Sequence, residues 1–306
     1  MTRRRAVLVG VFVAFTVVSS VVLVSFGSYY YTYTSNYSYQ VELSGNGTLS
    51  NATFLVPLPY VDGHSVVGDV IADGDAMYPI GRPGEPHDWN YTIVNTTTGP
   101  KLRITADEIS FEPRYYRWVV AEDGRHEQVP IPVEEFNASD LDHGVERTFQ
   151  IHVWMRSDHR INTRTPIGDE PLLVSTATRT ETTCPSYSPR ATCYTYSTEM
   201  TAQYDTTADT DVSIRTEVWA GNSWMYMLVG NAGNEYVDRA QTVLVGSQMG
   251  VVPASGYLQT GVGDYPWREQ WRAQPRESST VSPADGSRDA QSSRQRVTFP
   301  ADGPGG

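Results

Sequence analysis

The chain has 306 residues, 35 acidic against 23 basic side chains, and two cysteines. It is too long for a disulfide-built miniprotein, and a formal charge of −12 does not suit nucleic acid, whose phosphates need Lys and Arg. A hydrophobic share of 39% with 11% aromatics excludes wholesale disorder and leaves room for one large or two ordinary domains with extensions.

At the amino end, Arg3, Arg4 and Arg5 form a basic tip (residues 1–5) before an uncharged run over residues 6–27. Residues 6–24 are nearly all Val, Leu, Phe, Ala and Gly, and as a helix they would extend roughly 28 Å, close to a bilayer's hydrocarbon thickness. A secretory apolar region is usually shorter. The reading is a transmembrane signal anchor over 6–27, with the arginines inside the cell and everything after Gly27 outside. Its rival is a cleaved signal, for which Ser25-Phe26-Gly27 offers small residues.

The rest reads as strands. Tyr29, Tyr31, Tyr33, Tyr37, Tyr39, Val41 and Leu43 alternate with polar residues, a period of two that predicts a half-buried strand over 29–43. Gly45-Asn46-Gly47 predicts a hairpin turn, with residues 48–58 returning. Further strands are expected at 65–72, 89–94, 101–105, 115–121, 147–155, 172–178, 193–204, 211–219, 223–229, 236–245 and 257–261. Many short strands without helices point to a mainly β chain: one or two antiparallel β-sandwich-like domains after the N-terminal transmembrane helix. The polar stretch 157–171 is the expected boundary between an N-terminal β domain (28–160) and a C-terminal one (161–272). Residues 273–306, rich in Ser, Pro and Gly, read as a disordered tail. Just before it, Trp267 and Trp271 could stack on sugar or seal the base of a domain.

Residues with chemical potential are few. Asn-X-Ser/Thr acceptors occur at Asn36, Asn46, Asn51, Asn90, Asn95 and Asn137, which predicts glycosylation confined to the first half of the exported part. Cys184 and Cys193 are expected to form a disulfide in an oxidising exterior; their spacing is not that of a metal or redox pair. The histidines His64, His87, His126, His143, His152 and His159 often neighbour an Asp in sequence, but adjacent residues of a strand point to opposite faces. They read as turn residues, and no transition-metal site is assigned. Calcium, weakly held, is the one ion that the acidic loops with Asp69, Asp73 and Asp75 or with Asp205, Asp209 and Asp211 would suit. No cofactor is otherwise expected. No Gly-X-Ser-X-Gly, His-Glu-X-X-His, Ser-X-X-Lys or phosphate-binding glycine loop is present.

Lys101 is the only lysine, Asp and Thr are abundant, and residues 28–272 hold 16 basic and 31 acidic side chains, a difference of −15. Such carboxylates hold hydrated cations and keep a surface soluble where salt screens their repulsion. With the Arg3–Arg5 tip, the Tyr29–Tyr39 stretch and the segment Asn51-Ala52-Thr53-Phe54-Leu55-Val56-Pro57-Leu58-Pro59, the chain resembles uncharacterised membrane-anchored surface (glyco)proteins of halophilic archaea. The resemblance is one of style over the whole chain and implies an address, with no active site attached. The expectation is a non-catalytic, single-pass cell-surface protein. Its extracellular β ectodomain would serve binding or structural presentation, toward a surface protein or glycan and not toward nucleic acid. An extracellular hydrolase of glycans or peptides and a halovirus envelope or spike protein are the alternatives.

Overall fold

Helix α1 (Arg3–Thr32) gives way to strand β1 (Thr34–Gly45) after a single residue, Tyr33. The computed structural model describes residues 3–73, 77–80, 89–121, 125–146, 148–185, 190–226 and 230–265. The side chains of 3–10, 22, 25, 26, 77–80, 146 and 226 lie outside that description. So do the expected tail, Trp267 and Trp271.

Tyr29, Tyr30 and Tyr31 are therefore helical, not part of the expected strand. Tyr29 and Tyr33 are four residues apart, which puts them on one face. Both meet Trp224: the Tyr33 ring stacks on it at 5.8 Å, and Tyr29 approaches edge-on at 5.9 Å. A short run of tyrosines satisfies either period, and packing against Trp224 decides for the helix.

The remaining elements follow in chain order. They are β2 (Thr48–Pro57), α2 (Val66–Asp73), β3 (Met77–Ile80), β4 (Asn90–Thr96), β5 (Gly99–Ser110) and β6 (Arg114–Val120). Then come β7 (His126–Ile131), β8 (His143–Glu146), β9 (Thr148–Ser157), β10 (Thr180–Thr182) and β11 (Thr192–Asp205). The long strands β12 (Asp211–Tyr226), β13 (Gly230–Val245) and β14 (Gln248–Gly263) complete the fold. The chain is mainly β, as expected, but 65–72 is helix α2 and not a strand. Ser65 caps it: its hydroxyl accepts from the Gly68 N–H at 3.0 Å and donates to the Pro59 carbonyl at 2.7 Å.

An 11-stranded antiparallel sheet runs in the order β3-β9-β1-β12-β13-β14-β11-β2-β5-β4, with β10 added on β11. β1 and β2 are consecutive in sequence but not partners. β1 lies between β9 and β12, and β2 between β11 and β5. Residues 45–47 are thus no hairpin turn; at one end of the curled sheet, with Asn46 and Gly47 exposed, they carry the chain from one side of it to the other. The Asn46 N–H donates to Asp211 O at 3.1 Å, and Phe111 N–H to Gly47 O at 2.8 Å. Tyr39 on β1 donates its hydroxyl to Pro57 O on β2, which confirms that the two strands face each other across the core. The curl also brings Phe149 of β9 within 5.1 Å of Trp89 and 5.6 Å of Phe111. Helix α2 packs against both β4 and β9 and fills the seam between the sheet's two margins.

One face of each strand supplies the core. Tyr37, Tyr39, Val41 and Leu43 of β1 are buried, as are Val212, Ile214, Val218 and Ala220 of β12. Leu49, Phe54 and Val56 of β2 and Leu102, Ile104 and Ile109 of β5 close the opposite side. Each such aliphatic or aromatic side chain contributes about 1.5–3 kcal/mol of burial.

Apart from β6, β7 and β8, the strands of 28–160 and of 161–265 share this one sheet, where the sequence suggested one or two sandwich-like domains. The stretch 157–171, read from sequence as a boundary, begins a strap over residues 158–179 that crosses the concave face. It buries Ile161, Thr163, Glu170, Leu172 and Leu173, and its Leu172 exchanges backbone hydrogen bonds with Tyr60. The expected strand at 172–178 forms only that bridge. Its polarity resembles a linker because its carbonyls and carboxylates are needed to meet polar groups inside the curl.

Candidate functional site

Two carboxylates hold the strap from within. Glu170 is buried; Tyr37 of β1 donates to its Oε2 at 2.6 Å, and the Asn162 N–H donates to Oε1 at 2.5 Å. Asp238 of β13 is fully buried. Its Oδ2 accepts from the Leu173 N–H at 2.9 Å and its Oδ1 from the Tyr196 hydroxyl at 2.6 Å. Burial pushes the Asp238 carboxyl up to about 6, against the pull of those hydrogen bonds and of Arg179. Desolvation, reinforced by Glu170, raises the Tyr37 hydroxyl well above the ordinary range. A third cluster lies at the start of the strap. Asn222 receives from Ser35 and Ile161 and donates to Asn234, whose carbonyl also accepts from Thr163. A displaced carboxyl pKa is a mark of active sites. Here, however, both oxygens of each carboxylate are engaged by the fold, so these groups serve to position the strap.

A different arrangement is open to solvent. Between β5 and β9 the chain leaves the main sheet as an insert over residues 111–147, whose strands form a separate sheet in the order β7-β6-β8. Its attachment points are Ser110, paired with Thr48, and Thr148, paired with Ser44. Both flank the 45–47 crossing, at one end of the main sheet. Tyr116 pairs with Gly144 across β6 and β8, and its ring covers that glycine: a Cβ there would lie 2.3 Å from Tyr116 Cζ. Trp118, 40% exposed, stands edge-on to Tyr116 at 5.9 Å. Tyr115 packs on Phe136 at 4.6 Å. A groove of about 720 Å³ opens beside this sheet, lined by Glu112, Arg114, Tyr115, Tyr116, Pro130 and Ile131 among others. Aromatic faces flanked by one cation and one carboxylate suit stacking on a sugar ring or an extended peptide. Sequence alone marks 115–121 as a strand, yet nothing local shows that Tyr116, Gln128 and Pro130 meet.

The residues singled out from sequence fall in several places. Cys184 and Cys193 are bonded at a Cα separation of 5.3 Å, and Tyr257 donates to Cys193 Sγ at 3.0 Å. Closing so short a loop stabilises the fold by about 2–3 kcal/mol in the chain-entropy picture. The double replacement Cys184→Ser with Cys193→Ser is therefore expected to lower the melting temperature by about 5–10 °C. Calorimetry with and without reductant checks this, and an unchanged midpoint would reject it.

Among the sequons, Asn46, Asn51, Asn90, Asn95 and Asn137 are exposed, while Asn36 is half-buried on β1, between β9 and β12. Asn46 Oδ1 also accepts from the Asp211 N–H at 2.6 Å. The histidines do not converge. His64 pairs with Asp69 at 3.1 Å and not with its neighbour Asp62; His152 meets Ser38, and His143 accepts from the Asn137 N–H. His87 and Asp75 lie outside the described residues. Asp69 and Asp73 sit on α2, whereas Asp205, Asp209 and Asp211 surround the β11–β12 loop. Among the described residues, no group of three or more His, Cys, Asp or Glu is arranged to hold a metal ion.

Fold and site together define a curled antiparallel β protein with an internal strap and an aromatic-lined insert at one end. No protein-family model matches the chain, and no curated protein or solved structure is similar to it.

Proposed function

We propose that the chain is a single-pass surface protein whose β ectodomain presents the groove of residues 111–147 to a protein or glycan partner, without catalysis. The observation that carries this reading is the polarity of the long strands. β12 begins at Asp211, beside Gly45 and the insert, and ends beside the last turn of α1, where Ser28 donates to Met225 O at 3.0 Å. Its 16 residues separate the two ends by about 50 Å. A chain held through α1 would therefore display the groove outward.

The side chains of Val11, Phe12, Phe15, Val17, Val18 and Leu23 are exposed on different sides of α1, a pattern that suits lipid better than water. Among the described residues, no helix is long and apolar enough to cross a membrane; much of the apolar run lies outside the described side chains. The surplus of carboxylates and the sequons fit an exterior address in high salt, the style of halophilic surface proteins.

The full chain is expected to fractionate with membranes and to lose its ectodomain to protease added from outside. Recovery from the medium of a mature protein beginning near Ser28 would overturn the anchor. Within the membrane-bound protein, Gln128→Ala and Tyr116→Ala, both in the groove lining, are expected to weaken retention on glycan or surface-protein arrays with the melting temperature of Gln128→Ala unchanged. Equal retention by both variants would remove the groove from the proposal.

A further inference from the structure

The junction between α1 and the sheet is built as a seat. Thr32 Oγ1 donates to Ser28 O at 2.7 Å and accepts from the Met225 N–H at 2.8 Å, while Ser28 Oγ donates to Met225 O. These bonds lock the last turn of the helix to the end of β12. Around them stand Tyr29, Tyr33 and Trp224 in mutual ring contact, with the Arg160 guanidinium 5.4 Å from the Tyr33 ring centre. Tyr30 and Tyr31 point outward, 65% and 94% exposed, and Met225 on β12 is 43% exposed. Along α1, Tyr30 and Tyr31 follow the exposed apolar side chains Val21, Leu23 and Val24 by about two to three turns. Tyr and Trp favour the membrane interface, where an apolar ring meets lipid and a polar edge stays wet, and Arg reaches the same level with its guanidinium.

We propose that this collar of Tyr30, Tyr31 and Met225, backed by Tyr29, Tyr33 and Trp224, rests in the headgroup layer of the bilayer. It seats the end of β12 directly on the membrane. The proposal deepens the reading of residues 6–27 as an anchor and rests on it. The occupant is lipid because the collar is continuous with the exposed apolar surface of α1. No stalk separates them: one residue, Tyr33, lies between helix and sheet.

The test uses the full chain in phosphatidylcholine vesicles that combine lipids brominated near the glycerol end with lipids brominated near the chain ends, so that both the headgroup side and the bilayer centre are reached. The native cysteines are bonded to each other, so single cysteines introduced as Tyr31→Cys, Met225→Cys, Val17→Cys and Leu141→Cys can carry an environment-sensitive fluorophore. Leu141 is 98% exposed in the insert and serves as the remote control. The expected result is loss of emission at Tyr31, Met225 and Val17, with Leu141 as bright as in unbrominated vesicles. Quenching at Val17 with Tyr31 and Met225 as bright as Leu141 would overturn the seat and leave the anchor standing. No quenching at Val17 would reject the anchor, and the seat with it. The near-complete exposure of Tyr31 keeps that variant informative if Met225→Cys disturbs folding.

Discussion

Gly256→Ala is expected to lower the stability of the protein by about 3–5 kcal/mol, a large part of the ~5–15 kcal/mol that holds an ordinary domain together. Gly256 on β14 pairs with Tyr196 on β11, and the Tyr196 ring lies across it to reach Asp238 on β13. A Cβ at residue 256 would stand 2.1 Å from Tyr196 Cε2. The ring cannot step aside. Its hydroxyl is held by Asp238, and Arg179 lies 5.2 Å from its centre while donating to Val174 O, Ser175 O and Ala177 O. Overpacking costs about 1–3 kcal/mol, and tearing the hydroxyl from a buried carboxylate adds a comparable amount. Denaturant melts of Gly256→Ala, Tyr196→Ala and the double variant check the argument. The double variant should be more stable than the sum of the singles, because the clash vanishes with the ring. A Gly256→Ala protein as stable as the parent would refute this view of the core.

The second large effect follows from Asp238. Its carboxyl is raised in the folded state to about 6, from an unfolded value of 3.8, chiefly because it is buried. Between those values the unfolded chain gives up the proton and the folded chain keeps it. The contribution of Asp238 to stability is thus fully present below about pH 4, declines as pH rises to about 6, and is flat above. At 1.36 kcal/mol per pH unit the loss is about 3 kcal/mol. Asp238→Asn is expected to abolish this slope: its carbonyl can accept from Leu173, and its amide can donate to Tyr196, whose hydroxyl can turn to Arg239 O. Asp238→Leu, which strands both donors in the core, should unfold the protein or cost about 3–5 kcal/mol. Melts from pH 4 to 7 decide. A parent whose stability rises over that range to the same extent as that of Asp238→Asn would sink the assignment.

The sequence made the strands legible wherever a hydrophobic face repeats with period two, as in Tyr37, Tyr39, Val41 and Leu43. The pairing of Cys184 with Cys193 was equally legible, since in a chain with two cysteines each has one partner. The partnership of strands was not. Gly45-Asn46-Gly47 carries the composition of a hairpin turn, yet β1 finds its neighbours more than 100 residues downstream, at 148–157 and 211–223. Local composition cannot distinguish a turn between paired strands from one that joins strands on opposite sides of a core. The strap was misread for a related reason, because polar residues that satisfy buried groups look like polar residues bathed in water. Glu170 and Asp238 are two carboxylates among 35 acidic side chains, and only their burial sets them apart. In the insert, the aromatic density of Tyr115, Tyr116 and Trp118 was visible. The groove was not, because it depends on Pro130 and Ile131 arriving on the neighbouring strand.

The interleaving of the sheet also governs when the protein can come into being. β1 leaves the ribosome first among the strands, but its partner β12 lies some 170 residues behind it, and β2 waits for β11. β1 gains one neighbour when β9 has emerged and β2 gains one when β5 has, but neither is paired on both sides until β11 and β12 have followed. Such long-range closure is slow, and over that interval bare strand edges are open to neighbouring chains. The early, polar and sequon-bearing half is thus the part whose solubility must be secured before any core exists.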